Sequence, residues 1–200
     1  PIPAEDPLTL AKNGSLLANL INQVQLEASG ADISLTSLSN RVVDFPQDVT
    51  VRAIVSAYAF PNTLQTIRVT RAVLTAALER SLSYFAFAPD GSLCISDTFL
   101  RPIIQHFNYD YFSGLTVTAD LYQPVGRSIV YQGRELPDDQ TLTLCLNNYR
   151  ASGAGGYGCY KSCPLVSENL TEISDLVTQY VLQHREITVD KTKWLQFCSD

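Results

Sequence analysis

Hydrophobic positions along the chain recur with two periods. "SLLANLINQVQLEA", residues 15–28, sets Leu17, Leu20, Ile21 and Val24 on one face at helical spacing, and Gly30 stands where a helix would stop. "ADISLTSL", 31–38, is an apolar run of strand length, and "VTVRAIVSAYAF", 49–60, fits a short helix capped near Thr50. "NTLQTIRVT" predicts a strand with Thr63, Gln65, Ile67 and Val69 on one side. Thr70 then caps a helix, "RAVLTAALERSLSYF", whose buried stripe is Leu74, Ala77, Leu78 and Leu82. Beyond it the period becomes two: "GLTVTADL" alternates, "RSIVYQGREL" runs into a Gln-Gly turn, and "QTLTLCLNN" points Leu142, Leu144 and Leu146 inward. "ENLTEISDLVTQYVLQH" returns to helical spacing, with Leu170, Ile173, Val177, Tyr180 and Val181 on one face and Ser167 or Glu168 at the start. "EITVD", 186–190, reads as one more strand. Pro1, Pro3 and Pro7 make residues 1–12 an irregular leading segment, and "SNRVVDFPQD" is a loop. This order predicts an α+β fold, a mixed sheet with flanking helices, as one domain over residues 1–200.

Composition narrows the classes. A chain of 200 residues, 46% hydrophobic and 17% charged, buries enough surface to fold without staples. A net charge of −6 argues against a nucleic acid polymer as partner, since such a surface needs a basic stripe. No apolar run approaches the ~20 residues of a membrane span, and no signal peptide is apparent; a start at Pro1 fits a mature chain or a fragment. Of the five cysteines, Cys145 falls in an apolar strand. Cys159 and Cys163 are spaced for a local disulfide or two free thiols, and a zinc site is disfavoured for want of a second Cys pair or a nearby His.

Catalytic motifs are scarce. His106 and His184 stand alone, and there is no HExxH, GxSxG or phosphate-binding Lys loop. "GAGGYG" follows a strand but opens no amphipathic helix, so it is not a dinucleotide fingerprint. What remains is a recognition surface. In "LNNYRASGAGGYGCY", 146–160, Tyr149 ends a strand and is followed by small residues, where Gly153, Gly155 and Gly156 let backbone approach a planar ligand. Tyr149 is either a stacking ring or the anchor of that loop. Phe60, beside Pro61 at another strand junction, is either a second ring or a core residue.

Several stretches then coincide with a known family. "GADISLTSL", "YAFPNTLQTIRVTRAVLTAALERSLSYF", "FNYDYFSGL", "PVGRSIV" and "NNYRASGAGGY" resemble, in order and from about Leu17 to Ile187, the C-terminal domain of the 5′-nucleotidase superfamily. The nearest resemblance is to its bacterial 2′,3′-cyclic-nucleotide 2′-phosphodiesterase/3′-nucleotidase branch. The resemblance implies a domain in which two rings sandwich the base, and these fall on Phe60 and Tyr149. It implies polar contacts at Ser37, Ser39, Asn40 and Asn148, and backbone contacts near Gly153 and Gly155. Two departures stand out. The Asn-Gly-Gly-Gly-Ile-Arg segment of the 5′-nucleotidases is absent around Ser37–Val42, and their ribose-binding Asp is replaced by Gly155.

The same resemblance implies that catalysis lies in a separate N-terminal metallophosphoesterase domain carrying a pair of divalent metals, with no catalytic or metal-binding residue in this chain. It also implies a periplasmic, cell-wall or extracellular setting. Three hypotheses follow: a specificity domain for adenosine, 3′-AMP or cyclic nucleotides; a non-catalytic nucleoside-binding or surface-interaction module; and a self-sufficient metal hydrolase, which lacks any clustered ligand set.

Overall fold

Pro7 opens the first helix instead of blocking it. In the computed structural model, which describes residues 1–121, 128–184 and 186–198, α1 spans Pro7–Asn13. Asp6 caps it by accepting from the Thr9 amide at 3.0 Å, and proline at a first helical position gives up only an N–H that has no partner there. The expectation of an irregular 1–12 segment is corrected on that point. Next, α2 (Leu16–Ser29) is capped by Ser15 and closed by left-handed Gly30. Its apolar face is as expected, but its buried side also carries Asn22 and Gln25. Gln25 Nε2 donates to Ser34 Oγ at 2.7 Å and to the Leu35 carbonyl at 2.9 Å; Asn22 Nδ2 donates to the Tyr111 carbonyl at 2.9 Å. These bonds let polar groups lie against a sheet without stranding a donor.

The chain continues as β1 (Ile33–Ser37), α3 (Val51–Ala57, capped by Thr50), β2 (Thr63–Thr70) and α4 (Arg71–Leu82, capped by Thr70). A hairpin of β3 (Phe85–Phe87) and β4 (Leu93–Ile95) follows, then β5 (Asp110–Ser113) and β6 (Leu115–Ala119). Ser128–Tyr131 form β7 and Arg134–Glu135 form β8, joined through Gln132 and Gly133, both at positive φ. Residues 124–127 of "PVGRSIV" lie outside the described residues. β9 (Thr141–Asn147), the single turn α5 (Asn148–Ala151), β10 (Leu165–Glu172), α6 (Ile173–Gln183) and β11 (Leu195–Phe197) complete the order.

Among the described residues the main sheet has the order β10-β2-β9-β1-β5, with β1 and β9 parallel and the other pairs antiparallel. A second sheet, β11-β6-β7-β8, is reached through Gly114 alone. A Cβ at that residue would lie 2.7 Å from the Asp32 carbonyl, so this tight crossing from β5 to β6 needs a residue without a side chain. The α+β class is therefore as the sequence implies.

Two elements near the C-terminus differ from the sequence reading. Residues 168–172, expected as the first turns of a helix, pair with β2 as part of β10; α6 begins at Ile173, and Leu170 is 76% exposed. The free edge of β2 supplies a ladder of backbone partners that outweighs local helical period. Residues 186–190 form no strand. The α2 side chains take their carbonyls instead: Gln23 Nε2 donates to Thr188 and Asn19 Nδ2 to Asp190 and Thr192. The last strand is β11, parallel to β6. On β2, Leu64 and Thr66 are buried as well as Ile67 and Val69, because the strand lies inside the sheet with both faces partly covered.

Candidate functional site

Strand register brings four chain segments to one end of the main sheet. Leu64 opposes Asn147, so β2 begins where β9 ends; Ser37 opposes Asp110, so β1 ends where β5 begins. The carboxyl ends of the two parallel strands, β1 and β9, therefore point the same way, and it is beyond such strand ends that loops can build a site. There Ser37, Phe60, Asn62, Phe107, Asn147 and Tyr149 line a cleft of about 250 Å³. A broader depression of about 440 Å³, lined by residues of α4 with Asp138, is elsewhere and has no aromatic wall.

Tyr149 is carried on α5. Asn147 caps this turn by accepting from the Arg150 amide at 2.7 Å, and the Ser152 hydroxyl donates to the Tyr149 carbonyl at 2.7 Å. The ring is 41% exposed, unusual for so large a side chain beside a core strand. Phe60 rests edge-on against buried Tyr58, with centroids 5.9 Å apart and planes at 84°. Asn148 Oδ1 accepts from the Thr63 amide at 3.1 Å, which ties α5 to the start of β2 and so to the Phe60 loop.

Next to Tyr149 in the chain lies a buried charge the sequence reading did not single out. Arg150 is 1% exposed and Asp110 fully buried. Arg150 Nε and Nη2 both donate to Asp110 Oδ1, at 3.0 and 2.8 Å. Its remaining donors reach the Ala154 carbonyl at 2.8 Å, the Phe107 carbonyl at 3.1 Å and Asn108 Oδ1 at 3.4 Å. Burial works against the charge on Arg150, but Asp110 foremost, and the Tyr157 phenol, hold its pKa above the ordinary value. On Asp110, burial pushes the pKa up against the pull of the guanidinium. One side chain thus clamps the glycine loop to the segment before β5.

The small residues of "ASGAGG" have a structural explanation in this clamp. Gly155 has φ +74°, and a Cβ there would meet Arg150 Nη1 and Asn108 Oδ1, each at 2.2 Å; at Gly156 it would meet Arg80 Nε at 2.5 Å. Arg80 Nε donates to the Gly155 carbonyl at 3.0 Å, and Tyr157, which ends the run, is buried with its hydroxyl donating to the Asn108 carbonyl at 2.8 Å. A side chain at position 155 has no room while Arg150 stays where it is.

Of the eight residues nominated from sequence, Phe60, Tyr149 and Ser37 are in the lining of the cleft. The other five lie outside its lining. Ser39 donates to the Arg41 carbonyl, Asn40 to the Ile104 carbonyl, and Asn148 bonds Thr63. Gly153 packs on the Gly158–Lys161 turn, and Gly155 on Arg150. The lining residues not nominated are Asn62, Asn147 and Phe107. All three lie in or beside stretches that carry the resemblance, yet only the fold shows which of their side chains meet. His106 Nδ1 is 2.7 Å from the Tyr84 hydroxyl, and burial lowers its pKa. His184 pairs with Glu27 at 3.0 Å. Cys159 and Cys163 are free thiols, the Cys163 sulfur lying 3.5 Å from the Cys159 carbonyl. Among the described residues no group of three or more His, Cys, Asp or Glu side chains could hold a metal ion, and no helix is long and apolar enough to cross a membrane.

An α+β domain with a mixed sheet and an aromatic-walled cleft at its strand ends is the class these features define. The sequence profile described as 5′-nucleotidase, C-terminal domain matches residues 4–162, and the chain belongs to that family. It is 33% identical to a Staphylococcus aureus protein assigned as a 5′-nucleotidase, with a TM-score of 0.88 over 95% of this chain and 38% of that one. The trifunctional nucleotide phosphoesterase YfkN of Bacillus subtilis is 23% identical over 155 residues, 70% of this chain and 10% of YfkN. The NAD nucleotidase of Haemophilus influenzae, at 15% identity and a TM-score of 0.71 over 92% of this chain and 33% of that one, shares the fold. The chain thus spans a minor part of the length of each.

Proposed function

We propose that this chain is the nucleotide-binding, substrate-specificity domain of a metal-dependent phosphoesterase, gripping the base between Phe60 and Tyr149. The observation that carries the reading is that these two rings, far apart in sequence, line one cleft with Ser37, Asn62 and Asn147. Stacking on an aromatic ring contributes ~1–3 kcal/mol per base and accepts any base; the amides and hydroxyl offer directional contacts at the cleft's polar side. Adenosine, 3′-AMP and 2′,3′-cyclic nucleotides are the ligands to which the family branch points.

In this reading the hydrolytic centre belongs to an N-terminal metallophosphoesterase domain of the parent protein, outside the residues in hand. The chain's small share of its relatives' length supports this division. A divalent metal pair there would activate water and stabilise charge on the phosphoryl group. The contribution of this domain is to hold the nucleoside so that its phosphate meets that centre in one orientation, converting binding energy into placement. A periplasmic, cell-wall or extracellular location belongs to the same proposal.

Calorimetric titration of the chain with adenosine and 3′-AMP, carried to millimolar ligand, tests the grip. Saturable binding is expected, lost in both Phe60→Ala and Tyr149→Ala, with no hydrolysis. Variants that bind as the parent chain does would refute the sandwich.

A further inference from the structure

We infer that Phe107 is a specificity-determining wall of the cleft, one that reads the outline of the base at its rim; the inference rests on the base-gripping role of Phe60 and Tyr149. Phe107 lines the cleft with those two rings. Its centroid is 6.1 Å from that of Phe60 and the planes are inclined at 59°. That tilt rules out Phe107 as a second parallel plate above Phe60. A planar ligand lying flat on Phe60 meets Phe107 at its edge, the geometry in which the positive rim of one ring faces the negative face of another.

A wall discriminates by size only if it is held in place, and hydrogen bonds from both side chains and backbone hold the segment that carries Phe107. The Phe107 carbonyl accepts from Arg150 Nη2 at 3.1 Å, through a guanidinium itself locked onto buried Asp110. The preceding residue, His106, bonds Tyr84 at 2.7 Å. The following residue, Asn108, donates from its side chain to Gln105 Oε1 at 2.8 Å and accepts from the Tyr157 hydroxyl at its carbonyl, also at 2.8 Å. The ring carries no donor or acceptor, so it senses shape and leaves the hydrogen-bonding pattern to the cleft's polar side chains. The ligand class this favours is a nucleoside with an unsubstituted base edge; a bulky group on the edge that meets Phe107 is excluded.

The test compares the chain with Phe107→Ala, which removes the wall, and Phe107→Trp, which thickens it. Each is titrated with adenosine, cytidine, and adenosines bearing a phenyl or benzyl group at N6, C2 or C8. Phe107→Ala is expected to bind adenosine about three- to tenfold more weakly, the loss of one edge-to-face contact. It should also bind at least one substituted adenosine more tightly than the parent chain does. Phe107→Trp is expected to shift preference from adenosine toward cytidine by about tenfold, the value of a few lost contacts in a filled slot. Near-ultraviolet circular dichroism establishes that each variant is folded, and if Phe107→Ala is not, the Trp variant decides alone. Variants that keep the parent's ligand ratios overturn the inference while leaving the sandwich standing, provided Phe60→Ala and Tyr149→Ala lose binding. If those two bind normally, or the parent binds no nucleoside, the reading of the cleft fails and this inference with it.

Discussion

Arg150 follows the exposed Tyr149 in sequence and is itself buried. Taking away its guanidinium would leave the Asp110 carboxylate buried without its partner, a change that costs about 3–5 kcal/mol. Arg150→Met is expected to lower stability by that order in urea denaturation. The double variant Arg150→Met/Asp110→Leu should recover a good part of the loss, because no charge is then stranded. Recovery would also separate the role of the pair from that of Arg150 alone. None of this was legible in the sequence. The motif "NNYRASG" drew attention to its aromatic and its small residues, but the partner of Arg150 lies 40 positions away, and nothing in the spacing joins them. Gly155 shows the same limit. The family resemblance marks it as the place of a missing Asp, whereas the fold marks it as the place where Arg150 passes too close for any Cβ.

Elements were legible where local signals stood alone. Thr50 and Thr70 each cap the helix expected of them, and Gly30 ends α2. They failed where a tertiary partner decided the outcome. "ENLTEISDL" has a helical period throughout, yet its first half is a strand because β2 presents an open ladder beside it. The boundary can be probed with two substitutions three residues apart. Leu170→Ser, on an exposed strand position, is expected to alter stability by no more than about 0.5 kcal/mol. Ile173→Ser, at a fully buried first residue of α6, is expected to cost more than about 2 kcal/mol. If both cost the same, Leu170 belongs to the buried stripe after all.

For the molecule as a whole, the proposed separation of gripping from chemistry has a thermodynamic signature. A domain whose core is apolar and whose described residues assemble no metal cluster should keep its midpoint of thermal unfolding when ethylenediaminetetraacetate is added, since a ligand stabilises only what binds it. Differential scanning calorimetry with and without the chelator measures this, and a fall of several degrees would point to a metal held by the chain itself. The family was legible from motifs because they record an arrangement of strand ends, whereas the lining of the cleft depends on register, which no single motif contains. Tyr149 and Arg150 draw these levels together. Next to each other in the chain, one is 41% exposed and the other 1%. A lone substitution at position 150 strands the buried carboxylate of Asp110, whereas one at position 149 leaves that pair intact, so the surface of the cleft can be altered without disturbing the frame that carries it.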